Sequence, residues 1–200
     1  MNENLINLLK EQKIFPIIRS NNPEEVVKYV DALIKANVKI MEINVQTPSI
    51  YEAIKDVSNK ACVCAGGIIT SLQAQAAIDS GAKLISSPIF HMNLVKLSKD
   101  KRIPYIAGTS TANEAYEAWK ARIPLVKIYP ITAMGGASYL ENLLRPMPFL
   151  NVLPQGSVKL SEVKSYIDAG AFAVGVGRDL FNGGSYSSVT ERVGETLSKL

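Results

Sequence analysis

Eight short apolar runs, at residues 14–18, 40–45, 61–65, 84–86, 105–107, 126–129, 152–153 and 173–176, alternate with amphipathic stretches of helical period along the chain. No other feature constrains the fold as strongly. Several runs are apolar at nearly every residue, as strands of a parallel sheet are when both faces are covered. The stretches between them begin with helix signals. Asn22-Pro23-Glu24-Glu25 offers an N-cap, a proline at the first helical position and acidic residues in the first turn. Thr47-Pro48 is read the same way for the next helix. Thr70-x-x-Gln73 and Thr111-x-x-Glu114 fit capping boxes, and Gly81 and Gly170 stand where helices should stop.

Eight such units in 200 residues, about 25 residues each, predict an α/β chain folded as a (β/α)₈ TIM barrel. It is expected to be a single compact domain over residues 1–200 with an N-terminal helix, smaller than the ~250 residues usual for the architecture. The rival doubly wound sheet usually needs fewer strands and often carries a glycine-rich turn after strand one. Here strand one runs into Arg19-Ser20-Asn21-Asn22, with no glycine.

Composition narrows the function. The chain is 47% hydrophobic and 20% charged, with a formal charge of +4. It has no Lys/Arg run and no basic stripe interleaved with aromatics, which argues against nucleic acid. No apolar run approaches 18 residues, so no membrane span is expected. The opening MNENLINLLKEQK is amphipathic rather than a charged region followed by an apolar one, so it does not read as a signal peptide, and a cytoplasmic location is expected. Cys62 and Cys64 have no second cysteine pair beside them. They are expected to be small buried residues on opposite faces of a strand, not a zinc or disulfide site.

Barrel strands point alternate residues inward and outward. In 40–46, Ile40, Glu42, Asn44 and Gln46 share one parity; Met41, Ile43 and Val45 share the other. The apolar set should face the helices, which turns Glu42 to the interior near the mouth. The run IPLVKIYP places Lys127 on the parity of Leu125 and Tyr129. An ammonium group there is costly to bury unless it is paired, neutralised or used. Tyr129 and Pro130 follow it, so snorkelling from a strand end is the weaker reading. Strand one offers Phe15, Ile17 and Arg19. Facing in, Arg19, Glu42 and Lys127 converge. A desolvated lysine can be a neutral amine, attack a ketone and form a Schiff base, with a carboxylate moving the protons. These residues therefore point to a carbon–carbon lyase with Lys127 as nucleophile and Glu42 as acid/base.

Phosphate sites in such barrels use the loops after strands seven and eight. These read Leu153-Pro154-Gln155-Gly156-Ser157-Val158 and Gly175-Val176-Gly177-Arg178, and Gly135-Gly136 after strand six could face the same end. The single histidine, His91, is expected at a helix start or on the surface. Trp119 is expected to pack in the core or against another subunit.

These residues resemble the class I 2-keto-3-deoxy-6-phosphogluconate (KDPG) and 4-hydroxy-2-oxoglutarate (KHG) aldolases over almost the whole chain. Ile-Met-Glu-Ile-Asn-Val resembles the family strand bearing the catalytic glutamate, and Val126-Lys127-Ile128-Tyr129-Pro130 the one bearing the Schiff-base lysine. Ala65-Gly66-Gly67, Ile85-Ser86-Ser87-Pro88 and Gly108-Thr109-Ser110-Thr111 match further segments in order, and Arg19 resembles an arginine found in many members. The resemblance implies cleavage of a 2-keto-3-deoxy(-6-phospho) sugar acid or 4-hydroxy-2-oxoglutarate to pyruvate and an aldehyde. It implies no metal or organic cofactor, and a homotrimer. Carried over, the substrate-binding positions are Arg19, Gln46, Gly67, Pro88 and Gln155, and the phosphate-binding ones Gly156, Ser157, Gly177 and Arg178.

Five of these depart from the family pattern. Gln46 stands where the family has arginine, Gly67 and Gln155 where it has threonines, Ser157 where it has glycine, and Arg178 where it has serine. Three alternatives stay open: Arg19 takes over the substrate carboxylate, the substrate differs, or activity is weak or lost. The rival from another class is a non-catalytic barrel binding a phosphosugar or keto acid. An isomerase or epimerase leaves Lys127 without a task.

Overall fold

The computed structural model describes residues 3–182 and 185–200. Eight strands pair in parallel in the order β7-β6-β5-β4-β3-β2-β1-β8. They are β1 (Ile14–Ile18), β2 (Ile40–Asn44), β3 (Cys62–Gly66), β4 (Leu84–Ser86), β5 (Tyr105–Thr109), β6 (Leu125–Ile128), β7 (Val152–Pro154) and β8 (Val174–Val176). The sheet closes on itself where the Phe172 N–H donates to the Val152 carbonyl at 2.8 Å and Gln155 bridges Gly175. This is the expected (β/α)₈ barrel. Its N-terminal helix is α1 (Glu3–Gln12).

Helices follow the strands: α2 (Pro23–Lys35), α3 (Ile50–Val57), α4 (Ser71–Asp79), α5 (Met92–Lys101), α6 (Ala112–Lys120), α7 (Gly136–Leu144), α8 (Val163–Asp168), α9 (Arg178–Phe181) and α10 (Tyr186–Leu197). Their start signals act through hydrogen bonds. The Asn22 side chain accepts from the Glu24 N–H ahead of α2, with Pro23 at its first position. Capping boxes open α4 and α6. Gly81 and Gly170 end helices at φ of +99° and +97°, a backbone conformation that glycine adopts without strain. Thr47-Pro48 behaves differently: residues 47–49 form a turn, and α3 starts only at Ile50. There the Thr47 hydroxyl is engaged by the Ser49 hydroxyl at 2.9 Å, not by a helix N–H. His91 does sit at a helix start, its Nδ1 accepting from the Asn93 N–H ahead of α5.

The core has two layers. Between strands and helices lie residues such as Met41, Ile43, Val63, Val126 and Val174. Inside the barrel a second cluster holds Phe15, Ile40, Leu84, Ile106, Leu125 and Leu153. Ile6 and Leu9 of α1 join that inner cluster and close the barrel's N-terminal end. Gln12 ties α1 down, its Nε2 donating to the carbonyls of Ile14 and Ile40 at 2.8 and 2.7 Å. The expectation that Cys62 and Cys64 face opposite ways does not hold. Residues two apart in a strand share a face: Cys64 belongs to the interior cluster, and Cys62, only partly buried, packs against it.

Candidate active site

The inner faces turn polar toward the C-terminal ends of the strands. Parallel register sets Glu42 of β2 beside Ile17 of β1 and Cys64 of β3, and Lys127 of β6 beside Gly108 of β5 and Leu153 of β7. Glu42 is fully buried and Lys127 is 3% exposed, so both ionisable side chains lie in the barrel, one layer above the apolar floor. The Lys127 Nζ donates to Ser86 Oγ at 2.8 Å. Burial pushes the Lys127 amine below its ordinary value; Glu42 and Cys64 oppose this, and Arg19 adds to the lowering. A lysine so placed reaches the neutral, nucleophilic form more readily than an exposed one. Burial, with the Glu42 charge, drives the Cys64 thiol far upward, which leaves it an inert wall residue.

Two glycines make this layer possible. A Cβ on Gly66 would lie 2.3 Å from Glu42 Oε1, so the carboxylate occupies the space a side chain would fill. A Cβ on Gly108 would lie 2.2 Å from the Pro88 carbonyl carbon, so the loop after β4 folds directly over β5. That loop is held by the Tyr105 hydroxyl, which donates to the Ile89 carbonyl at 2.7 Å. It sets Ser86 against Lys127 and Pro88 over Gly108.

Above this layer opens a cavity of about 410 Å³. Arg19, Gln46, Gln155, Gly156, Ser157, Gly177 and Arg178 line it, with Ile17, Tyr129, Pro130, Phe181 and Asn182. Among the described residues its walls include two arginines and no carboxylate, so the potential favours an anion. Neither arginine forms an ion pair among the described residues. Gln155 belongs to both levels: it lines the cavity, is 3% exposed, and donates from Nε2 to Glu42 Oε1 at a long 3.5 Å. Glu42 Oε2 and Gln155 Oε1 are buried with no hydrogen-bond partner among the described residues.

The structure thus gathers seven of the sequence-predicted site residues around one cavity and places Glu42 and Lys127 in the interior layer. Gly67 and Pro88 stand outside the cavity lining; Gly67, at φ +76°, packs against the Asn44 side chain. Gly135 and Gly136 do not line it either and serve to open α7. Sequence reasoning missed Ser86, whose signal was a hydroxyl on the inward parity of β4, and the space-making role of Gly66 and Gly108. Trp119 is partly buried between Tyr116 and Phe149, at 5.8 and 4.5 Å between ring centroids, and those two partners are exposed.

The chain matches the family model described as KDPG and KHG aldolase over residues 5–191. It is 28% identical over 168 residues to the 2-dehydro-3-deoxy-phosphogluconate aldolase of Haemophilus influenzae, covering 82% of this chain and 79% of that one. It is also 28% identical to the 2-dehydro-3-deoxy-6-phosphogalactonate aldolase of Escherichia coli, covering 86% and 85%. Among solved structures, the KDPG aldolase of Legionella pneumophila, with pyruvate captured as a covalent carbinolamine, superposes with a TM-score of 0.88 at 21% identity. That match covers 96% of this chain and 97% of that one.

Proposed function

The chain belongs to the KDPG and KHG aldolase family, and from that premise we propose that it is a Schiff-base aldolase in which Lys127 is the nucleophile and Glu42 the acid/base. One observation carries the reading: a lysine and a glutamate, both buried in the barrel interior, lie beneath an arginine-lined cavity, and burial lowers the lysine's pKa. The neutral Lys127 amine attacks the C2 carbonyl of a 2-keto acid, and loss of water gives a protonated imine. Glu42 takes the proton of the C4 hydroxyl as the C3–C4 bond breaks. The bond's electrons move into the imine as an enamine, and C4 leaves as an aldehyde. Protonation at C3 by Glu42 and hydrolysis of the imine release pyruvate.

The substrate is proposed to be a 2-keto-3-deoxy-6-phospho sugar acid or 4-hydroxy-2-oxoglutarate. Both carry an anion at each end, which suits a cavity lined by two arginines that form no ion pair among the described residues. Arg19, whose charge adds to the lowering of the Lys127 pKa, is assigned the keto-acid carboxylate, with Gln46 in the same cavity lining. Pro88, folded over Gly108 beside Lys127, shapes the wall near the imine, while Gly67 lies outside the cavity lining. Gly156, Ser157, Gly177 and Arg178 surround the distal anion, with Arg178 supplying a charge-assisted contact. The non-family residues at Gln46, Gly67 and Gln155 favour a shifted substrate preference over loss of the chemistry, because Lys127 and Glu42 keep their buried placement. A homotrimer completes the proposal, with the exposed Tyr116 and Phe149 as candidate contact residues. Among the described residues, no helix is long and apolar enough to cross a membrane.

Borohydride reduction in the presence of pyruvate tests the reading. A stable adduct on Lys127, found by mass spectrometry and absent in Lys127→Met, is expected. No adduct, or one on another lysine, overturns it.

A further inference from the structure

Ser86 touches the atom on which the proposed chemistry turns, yet that chemistry gives it no task. Its Oγ accepts from the Lys127 Nζ at 2.8 Å, and the serine is fully buried. Among the described residues this is the one side-chain hydrogen bond of either group. Both ends of the contact are fixed in the barrel wall. The Ile68 N–H donates to the Ser86 carbonyl at 3.1 Å, and the Ser87 N–H donates to the Ile106 carbonyl at 3.0 Å, which pins the end of β4 on both sides. The Ser87 hydroxyl accepts from the Ile89 N–H at 3.2 Å, and Pro88 lies over Gly108. On the lysine's side, the buried Thr109 hydroxyl donates to the Lys127 carbonyl at 3.1 Å. Residues two apart in a strand share a face, and Leu84 on that face of β4 packs in the apolar interior cluster with Ile106. A hydroxyl at the next inward position of β4 breaks that apolar pattern at the point where it meets the lysine nitrogen.

We propose that Ser86 is a positioning residue for the reacting nitrogen: its Oγ accepts a Lys127 N–H in the amine, in the carbinolamine and in the protonated imine. The inference rests on the aldolase reading and deepens it. Attack forms the Nζ–C2 bond and passes one nitrogen hydrogen to the C2 oxygen. That oxygen takes up a further proton from the solvent and leaves as water, while the nitrogen lone pair becomes the second bond to C2. One hydrogen stays on the nitrogen throughout. In a dry interior it needs an acceptor, most of all in the imine, where the nitrogen is positive. Because the imine is planar, an N–H aimed at Ser86 also fixes the plane in which C1 and C3 lie. Burial is the largest influence on the nitrogen and disfavours its charge; Glu42 on β2 and Cys64 on β3 favour the charge, and Arg19 beyond β1 opposes it. The paired strands β5 and β7 set Gly108 and Leu153 beside Lys127, neither of which titrates. Ser86 acts in the same sense as Glu42, since an acceptor holds the charged form better than the neutral one.

The test follows borohydride trapping of pyruvate across pH in the unaltered chain, in Ser86→Ala and in Ser86→Thr, which keeps the hydroxyl. Loss of the acceptor should move the trapping midpoint to lower pH by about one to two units, the size of one hydrogen bond to a charged group. Above both midpoints, deuterium exchange into the pyruvate methyl group should fall by about ten- to a hundredfold, because the protonated imine that acidifies those hydrogens has lost its acceptor. Ser86→Thr should restore both. A serine that merely fills space would lower rates and leave the midpoint where it was, so an unmoved midpoint in Ser86→Ala would overturn the proposal. So would a midpoint moved upward, or a downward shift that Ser86→Thr shares. A missing pyruvate–borohydride adduct on Lys127 in the unaltered chain would instead overturn the aldolase reading itself.

Discussion

Gly66→Ala should disable proton transfer while leaving the nucleophile in place. Gly66 ends β3 with no positive φ, so alanine fits the backbone without torsional strain. The conflict lies with one side chain: the new Cβ would be 2.3, 2.4 and 2.5 Å from Glu42 Oε1, Cδ and Cγ. Ordinary contact begins at 3.4 Å, so the carboxylate must retreat by about 1.1 Å. Glu42 is fully buried, and its neighbours on the paired strands are Ile17 and Cys64, so retreat means displacement within a packed barrel. A misplacement of about 1 Å in a reacting group costs on the order of a hundredfold in rate. Overpacking costs about 1–3 kcal/mol, partly offset by the lower entropy of an unfolded chain without that glycine. At about 2–4 °C per kcal/mol for a chain of this size, the melting temperature should fall by several degrees and no more. The assay couples pyruvate release to lactate dehydrogenase and pairs it with borohydride trapping. Cleavage should drop about a hundredfold while trapping on Lys127 persists. Gly194→Ala, with nothing within 4 Å of its Cβ, serves as a control that leaves turnover unchanged. Full cleavage activity in Gly66→Ala would refute the placement of Glu42 as acid/base.

The pH dependence of trapping reports on Lys127. Burial lowers its pKa, so the trapping rate should rise with pH around a midpoint below the ~10.4 of an ordinary lysine, and a midpoint at that value would contradict the burial argument. The same shift has a stability consequence. Between the folded and ordinary values the unfolded chain binds a proton that the folded chain does not, so stability rises with pH across that window. Lys127→Met should remove that slope, as read from denaturant midpoints at several pH values. Light scattering on the eluted protein should give three times the 21.7 kDa chain mass, and a monomer mass would overturn the homotrimer.

Much of this was legible in the chain because a barrel strand has a strict period of two. The parity of Ile40, Glu42 and Asn44 against Met41 and Ile43 sorted inside from outside, and the same rule set Lys127 inward. Capping boxes at Thr70 and Thr111 were legible because both partners lie three residues apart. What depends on contacts between distant strands was not. The pairing of Lys127 with Ser86 spans 41 residues and that of Gln155 with Glu42 spans 113. Gly66 and Gly108 looked like ordinary strand or turn glycines until the atoms occupying their missing side-chain positions were known. Thr47-Pro48 misled because a proline preset for a helix start is equally preset for a turn.

The helix that seals the barrel floor also settles the traffic through it. With Ile6 and Leu9 packed into the N-terminal end, the reacting layer lies, among the described residues, between an apolar floor and the arginine-lined mouth. Whatever is bonded to Lys127 sits at the bottom, and whatever has been cut from it sits nearer the exit. In the proposed reaction the aldehyde must therefore leave first, and pyruvate, freed last from the lysine, follows by the same route. In the synthetic direction the order reverses: pyruvate has to be loaded before the aldehyde arrives, and an aldehyde that enters early blocks its path.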